Sequence, residues 1–401
     1  MQRRPAPFLF FCALLYWALV TLSTQGAHAI GFGLQEEPHQ VEDLYPVPAQ
    51  QQPQPSEDPY AYEDNVQLTQ AHIAVLLPLQ SQSFGRHADS VRLGVLSATS
   101  LALEPRLPVI VYATSDEPVS ILDAYQRAVS TGARGVIGPL TRNGVSALAA
   151  SGLVTVPTLA LNAPDMDVRL PPELYVFGLQ IEAEARQVAQ LAYREGRRSA
   201  FVVSGETALG RRVAQAFVEE WEKLQGAVVD RFVYTTDVST LAILRERLRA
   251  SPADSVFLSL DASRARFIRP YLGNRLSIYA TSQVFASNAD SLQLYDLDAV
   301  RFLDMPWLLQ PDHPAVMSYL RPDIQSPALD QERFYALGID AYRLMRVLLR
   351  DYEFPDTLDG VTGTIRLGRG QQFERELLPA QFSYGAARLL PAAPPTAQTP
   401  R

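Results

Sequence analysis

Short apolar runs alternate with amphipathic stretches through residues 72–161. A continuous apolar run lies at 72–77, and further mainly apolar runs lie at 108–113, 135–138 and 156–161. Runs of this length that end near Pro, Gly or a polar residue are typical of strands buried on both faces of a parallel sheet. Three stretches with helical spacing separate the runs, at 86–101, 118–130 and 141–150. This alternation with short connections predicts a parallel sheet flanked by helices.

The pattern restarts near Ile181, which predicts a second α/β unit of similar size. Four further strands are expected, at 199–204, 228–234, 255–260 and 277–281. Four helices are expected around them, at 181–192, 209–224, 241–249 and 262–272. A long helix at 334–348 and a terminal hairpin, 363–367 with 373–382, follow. The sequence therefore predicts an α/β protein of two lobes, with the boundary close to 177–180.

The N-terminal pattern differs from that of the body. Arg3 and Arg4 precede an apolar run at 8–22, which leads to Ala27-His28-Ala29. This order predicts a signal peptide, 1–29, and a mature chain exported to the periplasm. The alternative is a membrane anchor, but the run is short for a span of about 20 apolar residues. The one cysteine, Cys12, lies inside the run, so the predicted mature chain has no disulfide.

Two segments are predicted to be disordered. Residues 30–70 combine prolines, glutamines and eight acidic side chains with no Lys or Arg, and residues 391–401 form a proline-rich tail. Such segments bury too little apolar surface to offset the entropy of ordering. Most of the net charge of -8 comes from the first segment. The nearly neutral body argues against nucleic-acid binding, which needs a basic surface.

Familiar catalytic patterns are absent from the sequence. The predicted mature chain has His39, His72, His87 and His313, and none is spaced four residues from another. No G-x-S-x-G elbow and no phosphate-binding glycine loop occur, and the only lysine, Lys223, lies in a predicted helix. We therefore expect no catalytic residues, no metal and no cofactor, and an unrecognised enzyme is the most distant alternative.

Polar residues follow several predicted strands at their carboxyl ends, where open α/β sheets bind ligands. The candidates for a cleft between the lobes are Ser83, Phe84, Gly138, Thr141, Asn162, Glu206, Thr207, Asp261 and Gln283. The same residue types also cap helices and form turns. As a group they predict a cleft that accommodates a small polar ligand such as an amino acid.

Several blocks of the sequence resemble a known family. HIAVLLPLQSQSFGRHADSVRLGVLSA, GVIGPLTRNGVSALA and VPTLALNAPD resemble the first lobe of type I periplasmic binding proteins. A closer resemblance is to the penicillin-binding protein activators, the LppC-type lipoproteins. The blocks that carry it are FGLQIEAEARQVAQLAYREG, DSVFLSLDASRARFIRPYL, DAVRFLDMPWLL and FYALGIDAYRL.

The resemblance implies a type I periplasmic-binding-protein fold over 71–390. It implies a first lobe of about 71–178 plus 285–350 and a second of about 181–281 plus 355–385. It further implies a non-catalytic activator of a class A penicillin-binding protein, associated with the outer membrane. The sequence departs from the family in lacking a lipid-attachment cysteine and a preceding helical-repeat domain. A solute receptor for an amino acid is the alternative function.

Overall fold

The computed structural model describes residues 70–391, apart from 103–106, 166–167, 236, 238, 287–290, 323–327 and 351–354. The predicted signal peptide, and all but one residue each of the predicted linker and tail, lie outside the described residues. The described part of the chain folds into two lobes. Each lobe is built on a sheet whose central strands are parallel, and apolar side chains form the core around it.

The first lobe contains a five-stranded sheet in the order β2-β1-β3-β4-β5, with all strands parallel. Its strands are β1 (His72–Leu77), β2 (Val109–Ala113), β3 (Ala133–Ile137), β4 (Thr158–Ala160) and β5 (Leu174–Val176). The helices that follow the first three strands are α1 (Gly85–Leu101), α2 (Pro118–Ser130) and α3 (Arg142–Ala150). Every residue of β1 is buried, as expected of a central strand covered on both faces.

The second lobe contains a seven-stranded sheet in the order β15-β14-β10-β9-β8-β6-β7. Its five parallel strands are β6 (Ser199–Gly205), β7 (Ala227–Tyr234), β8 (Ser255–Ser259), β9 (Ser277–Ala280) and β10 (Val300–Asp304). Its helices are α4 (Ile181–Arg194), α5 (Ala208–Lys223), α6 (Ser239–Ala250), α7 (Ala262–Leu272) and α8 (Ser291–Tyr295). The antiparallel strands β14 (Leu378–Ser383) and β15 (Ala386–Leu389) extend the sheet beyond β10.

The chain passes between the lobes three times. The first crossing, 177–180, joins β5 to α4, and the second runs from β10 to a long helix that packs on α1. The helices of this second part are α9 (Pro306–Leu309), α10 (Pro314–Met317) and α11 (Leu329–Leu348). The third crossing contains a small antiparallel sheet of β11 (Leu358–Asp359), β12 (Thr364–Leu367) and β13 (Phe373–Glu376). Each lobe is therefore assembled from segments that are distant in sequence.

Helices α1 and α11 approach each other closely through two glycines. A Cβ atom at Gly94 would lie 2.0 Å from the carbonyl oxygen of Tyr335, and one at Gly338 would lie 2.1 Å from that of Val91. Any side chain at either position would force the helices apart, because backbone atoms cannot move aside as side chains do. This contact joins α11, which comes late in the chain, to the first lobe.

The two-lobed α/β class predicted from the sequence is confirmed. The assignment of 285–350 to the first lobe is wrong at β10, which pairs with β9 in the second sheet. The chain returns to the first lobe only with α11. The predicted hairpin is also wrong in part, since β13 pairs with β12 whereas β14 pairs with β10. The three-residue strand β5 was not predicted, because it is too short to show a periodic pattern.

Candidate functional site between the lobes

A buried arginine of the first lobe reaches into the second. Arg333, near the start of α11, donates from Nη2 to Oδ2 of Asp304 at 2.6 Å and from Nε to Oδ1 at 3.3 Å. The same Nη2 also donates to the carbonyl oxygens of Ser282 and Phe285, at 3.2 and 3.0 Å. Burial disfavours the charged guanidinium, but the Asp304 carboxylate outweighs it and raises the pKa of Arg333. The pair joins α11 to the end of β10.

Glu184 on α4 is the second charged group buried at the boundary. Its Oε2 accepts from the Ser282 hydroxyl at 2.7 Å and from the Ser282 backbone amide at 3.3 Å. Burial raises the pKa of Glu184 to about 7, although the Arg375 guanidinium, 3.8 Å away, opposes this rise. A carboxyl group in this position changes its charge near neutral pH.

Arg375 on β13 ties the third crossing to the first. Its Nε donates to the carbonyl oxygen of Gly178 at 3.1 Å, and its Nη1 donates to that of Thr362 at 3.3 Å. Burial lowers the pKa of Arg375, and Glu184 opposes this effect. The side chain therefore holds two chain crossings at a fixed separation.

Asp340, two turns after Arg333 on α11, holds the loop that precedes β12. Its carboxylate accepts from the amides of Val361 and Thr362, at 3.2 and 2.8 Å, and from the Thr362 hydroxyl at 2.7 Å. Arg343 donates to it at 2.9 Å. We refer to Glu184, Asp304, Arg333, Asp340 and Arg375 as the interlobe network. Because its members lie on α4, β10, α11 and β13, the network fixes how the lobes meet.

Glu184 borders a pocket of about 500 Å³, which we call the cleft pocket. Its apolar side includes Leu179, Ile181, Phe285 and Phe334, and its polar side includes Asp261, Ser263, Gln283 and Asp330. Residues of both lobes and of the first crossing line this space. The mixture of apolar walls and a few polar groups is usual for small-molecule pockets.

Glu184 also borders a larger groove of about 740 Å³, which we call the α4 groove. One wall is α4, and the other carries Arg366, Glu374 and Glu376 of the small antiparallel sheet. Arg142 of the first lobe reaches across it, with Nη1 3.6 Å from Oε1 of Glu182. Arg212 donates to the same oxygen at 3.0 Å. The α4 groove is thus strongly polar, unlike the cleft pocket.

The structure brings only two of the candidate ligand residues into the cleft pocket, Asp261 and Gln283. Asp261 also caps α7 by accepting from the Arg264 amide at 2.9 Å. Phe84 lies near this region through His87, whose ring centroid is 4.9 Å from that of Phe334. Ser83 is exposed, and its hydroxyl lies 3.3 Å from that of Ser81.

The remaining candidates mostly serve the local fold. A Cβ atom at Gly138 would lie 2.1 Å from the carbonyl oxygen of Leu76, so only glycine fits there. Asn162 donates to the Leu140 carbonyl at 3.1 Å, and Thr207 caps α5 by accepting from the Gly210 amide at 3.0 Å. Glu206 is exposed. Thr141 precedes α3 with a buried hydroxyl that has no hydrogen-bond partner within the described chain. Ligand binding by any of these residues stays a prediction.

The interlobe network was not predicted from the sequence, although the sequence contains signals of it. Arg333 and Asp340 are seven residues apart and so share a face of α11 with apolar neighbours. Charged residues on a buried helix face need partners, and that requirement is a usable signal. Glu184, Asp304 and Asp340 lie inside the blocks that carry the family resemblance.

Two kinds of feature, a metal site and a membrane-spanning helix, are absent from the described residues. No group of His, Cys, Asp and Glu there is arranged to hold a metal ion. No described helix has both the length and the apolar character needed to cross a membrane.

Two α/β lobes, each with parallel central strands and joined by three chain crossings, define a protein of the type I periplasmic-binding-protein fold. The LppC putative lipoprotein family model matches residues 59–385. The chain belongs to the LppC family, as its sequence blocks predicted.

Named members of the same family are similar to this chain over much of its length. The penicillin-binding protein activator LpoA of Pectobacterium parmentieri is 27% identical over 333 residues, which cover 72% of this chain and 49% of that protein. LpoA of Haemophilus influenzae is 26% identical over 288 residues, covering 70% of this chain and 49% of that protein. The chain spans about half the length of these curated relatives.

Solved structures confirm the type I fold. The LpoA (YraM) C-domain from Haemophilus influenzae, described as a regulator of PBP1A, aligns with a TM-score of 0.66 at 24% identity, covering 80% of this chain and 99% of that domain. A putative branched-chain amino acid ABC transporter from Chromobacterium violaceum aligns with a TM-score of 0.66 at 39% identity, covering 78% of this chain and 99% of that one.

Proposed function

We propose that this protein is a non-catalytic regulator of peptidoglycan synthesis that binds and activates a class A penicillin-binding protein. The observation that carries the proposal is the match between its two-lobed body and the LpoA C-domain, nearly all of which is covered. Membership of the LppC family and the names of the curated relatives support the same function. On this proposal the chain acts by binding, and it acts in the periplasm, where the predicted signal peptide would deliver it.

The interlobe network supports a role as a docking scaffold. A solute receptor that closes around its ligand must break and remake contacts between its lobes. Here a buried ion pair, Arg333 with Asp304, joins them, and separating such a pair leaves an uncompensated buried charge. A body whose lobes are held in one arrangement presents constant surfaces to a partner protein.

The test is reconstitution with the class A penicillin-binding protein of the same organism. The whole chain, purified from cells that process its own N-terminus, should bind the synthase and raise its glycan-polymerisation rate. A solute-binding protein of the same fold serves as the control for non-specific effects. Absence of both binding and activation at micromolar concentrations would refute the proposal.

A solute receptor is the second candidate, because the Chromobacterium violaceum structure named for amino acid transport is 39% identical. The cleft pocket, with Asp261 and Gln283, is where such a ligand would bind. This candidate predicts micromolar binding of an amino acid, which Asp261→Ala or Gln283→Ala should abolish. Calorimetry against an amino-acid panel decides between the candidates, since the regulator needs no such ligand.

A further inference from the structure

Two arginines that line the α4 groove have no partner in the described chain. Arg186 and Arg194 lie eight residues apart on α4, on the helix face that also carries Glu182 and Gln190. Arg186 is half-buried and Arg194 is exposed, and neither makes a hydrogen bond or ion pair with a described residue. Eight residues of helix separate their Cα atoms by about 12 Å along the axis.

Most other charges of the groove are already paired. Glu182 is paired with Arg142 and Arg212, and Arg366 Nη2 lies 3.3 Å from Glu376 Oε2. Glu184 and Arg375 are paired at the buried end. Glu374 is the remaining acid, exposed on β13. The unpaired charges of the groove are therefore two cations on the α4 wall against one anion on the opposite wall.

The groove is rigidly built beneath these arginines. Gln187 of α4 donates from Nε2 to the Arg375 carbonyl at 2.7 Å and accepts at Oε1 from the Leu377 amide at 3.0 Å. These two bonds fix α4 against the strand on the other side of the groove. The two walls of the groove are thus held at a fixed separation before any partner arrives, which reduces the entropy lost on binding.

We propose that the α4 groove is a docking surface for an extended acidic segment of a partner protein. Two carboxylates about four residues apart in an extended chain, at about 3.3 Å per residue, match the spacing of Arg186 and Arg194. Guanidinium groups form bidentate hydrogen bonds with carboxylates, which favours arginine over other cations at such a site. Glu374 on the far wall repels an unbroken polyanion, so nucleic acid fits the groove poorly. The partner's identity rests on the proposed function, under which it is the class A penicillin-binding protein.

The first arm of the test uses a synthetic probe. A fluorescent twelve-residue peptide of Ser, Thr and Pro with two glutamates four residues apart is titrated with the whole chain, beside a version with glutamines. We expect binding of the glutamate peptide to weaken at least fivefold in Arg186→Glu and in Arg194→Glu. Arg245→Glu on α6, an exposed helical arginine outside the groove, is the matched control and should bind like the unmodified chain. Equal binding by all variants, or no preference for glutamate, would overturn the proposal.

The second arm uses the synthase and tests the docking surface separately from the proposed function. If the unmodified chain binds the synthase, affinity should fall about tenfold in each groove variant and remain unchanged in Arg245→Glu. Equal synthase binding by groove and control variants also overturns the docking surface. If the peptide depends on both arginines but the synthase does not bind at all, the groove proposal stands and the proposed function fails. Circular dichroism melting of each variant checks that the fold is intact, which we expect because the replaced arginines have no partners within the described residues.

Discussion

The ion pair of Arg333 and Asp304 joins α11 of the first lobe to the carboxyl end of β10 in the second sheet, and both side chains are almost fully buried. We expect Arg333→Ala to destabilise the protein by about 3–5 kcal/mol, because Asp304 is left as a buried charge without a partner. Arg92→Ala, which removes a half-exposed ion pair with Asp89 on α1, should cost at most about 1 kcal/mol. Urea unfolding measures both values.

A double replacement separates charge from packing at the same position. Arg333→Met combined with Asp304→Leu removes both charges and keeps much of the apolar contact. This variant should recover most of the stability lost in Arg333→Ala, because a buried pair replaced by apolar groups of similar size is often neutral. If the double variant were as unstable as the single one, the loss would come from packing and from the bonds to Ser282 and Phe285.

Glu184 predicts a pH dependence of stability. Its pKa is about 7 in the folded protein and near its ordinary value when unfolded. Between these values the folded state binds the extra proton, so the contribution of Glu184 to stability is fully present below the lower pKa and falls as the pH rises to about 7. Glu184→Gln removes this dependence while keeping an acceptor for Ser282.

The measurement is the unfolding free energy of both proteins from pH 4.5 to 8. The difference between Glu184→Gln and the unmodified protein should shift in favour of the variant by up to about 3 kcal/mol across this range. Glu219→Gln, on the exposed face of α5, should show no such shift. Parallel stability profiles for Glu184→Gln and the unmodified protein would contradict the assigned ionisation.

The glycine contact between α1 and α11 predicts a steric effect. Gly338→Ala places a Cβ atom 2.1 Å from the Val91 carbonyl oxygen and should cost about 3 kcal/mol, since the helices must separate. Gly152→Ala tests backbone strain alone, because its φ is +70° and nothing lies within 4 Å of the added atom. That control should cost about 1 kcal/mol. Thermal unfolding that ranks the two variants in the opposite order would refute the contact.

The hydrogen bonds of Asp340 should protect the loop of the third crossing from hydrogen exchange. Asp340→Ala removes the acceptor for the amides of Val361 and Thr362, which are buried. We expect hydrogen exchange at these two amides to accelerate at least tenfold relative to the amides of β1. Asp89→Ala, at a half-exposed position on α1 far in sequence from this loop, should leave them unchanged. Unaltered protection in Asp340→Ala would show that other contacts hold this loop.

The sequence predicts the parallel strands well where burial on both faces leaves an uninterrupted apolar run, as in β1 and β8. It fails at β10, because Arg301 and Asp304 interrupt the run and suggest exposure. Asp304 is in fact buried, and its partner on α11 cannot be identified until the fold is known. Glu184 cannot be predicted from the sequence either, because its hydrogen-bond partner Ser282 is 98 residues away. Polar residues at strand ends are easy to find, but many of them only cap helices.

The position of β14 has a consequence for how the protein is made. This strand pairs with β10, and Phe382 stacks on Phe302 with ring centroids 4.6 Å apart, although the two are separated by the whole of α11 and the small sheet. During synthesis, β10 therefore emerges long before the strand that covers its outer edge. Until β14 arrives, one edge of β10 has no strand to pair with, and a free strand edge of this kind promotes aggregation. We expect the nascent chain to be most prone to aggregation in that interval, which closes only when nearly the whole body has been made.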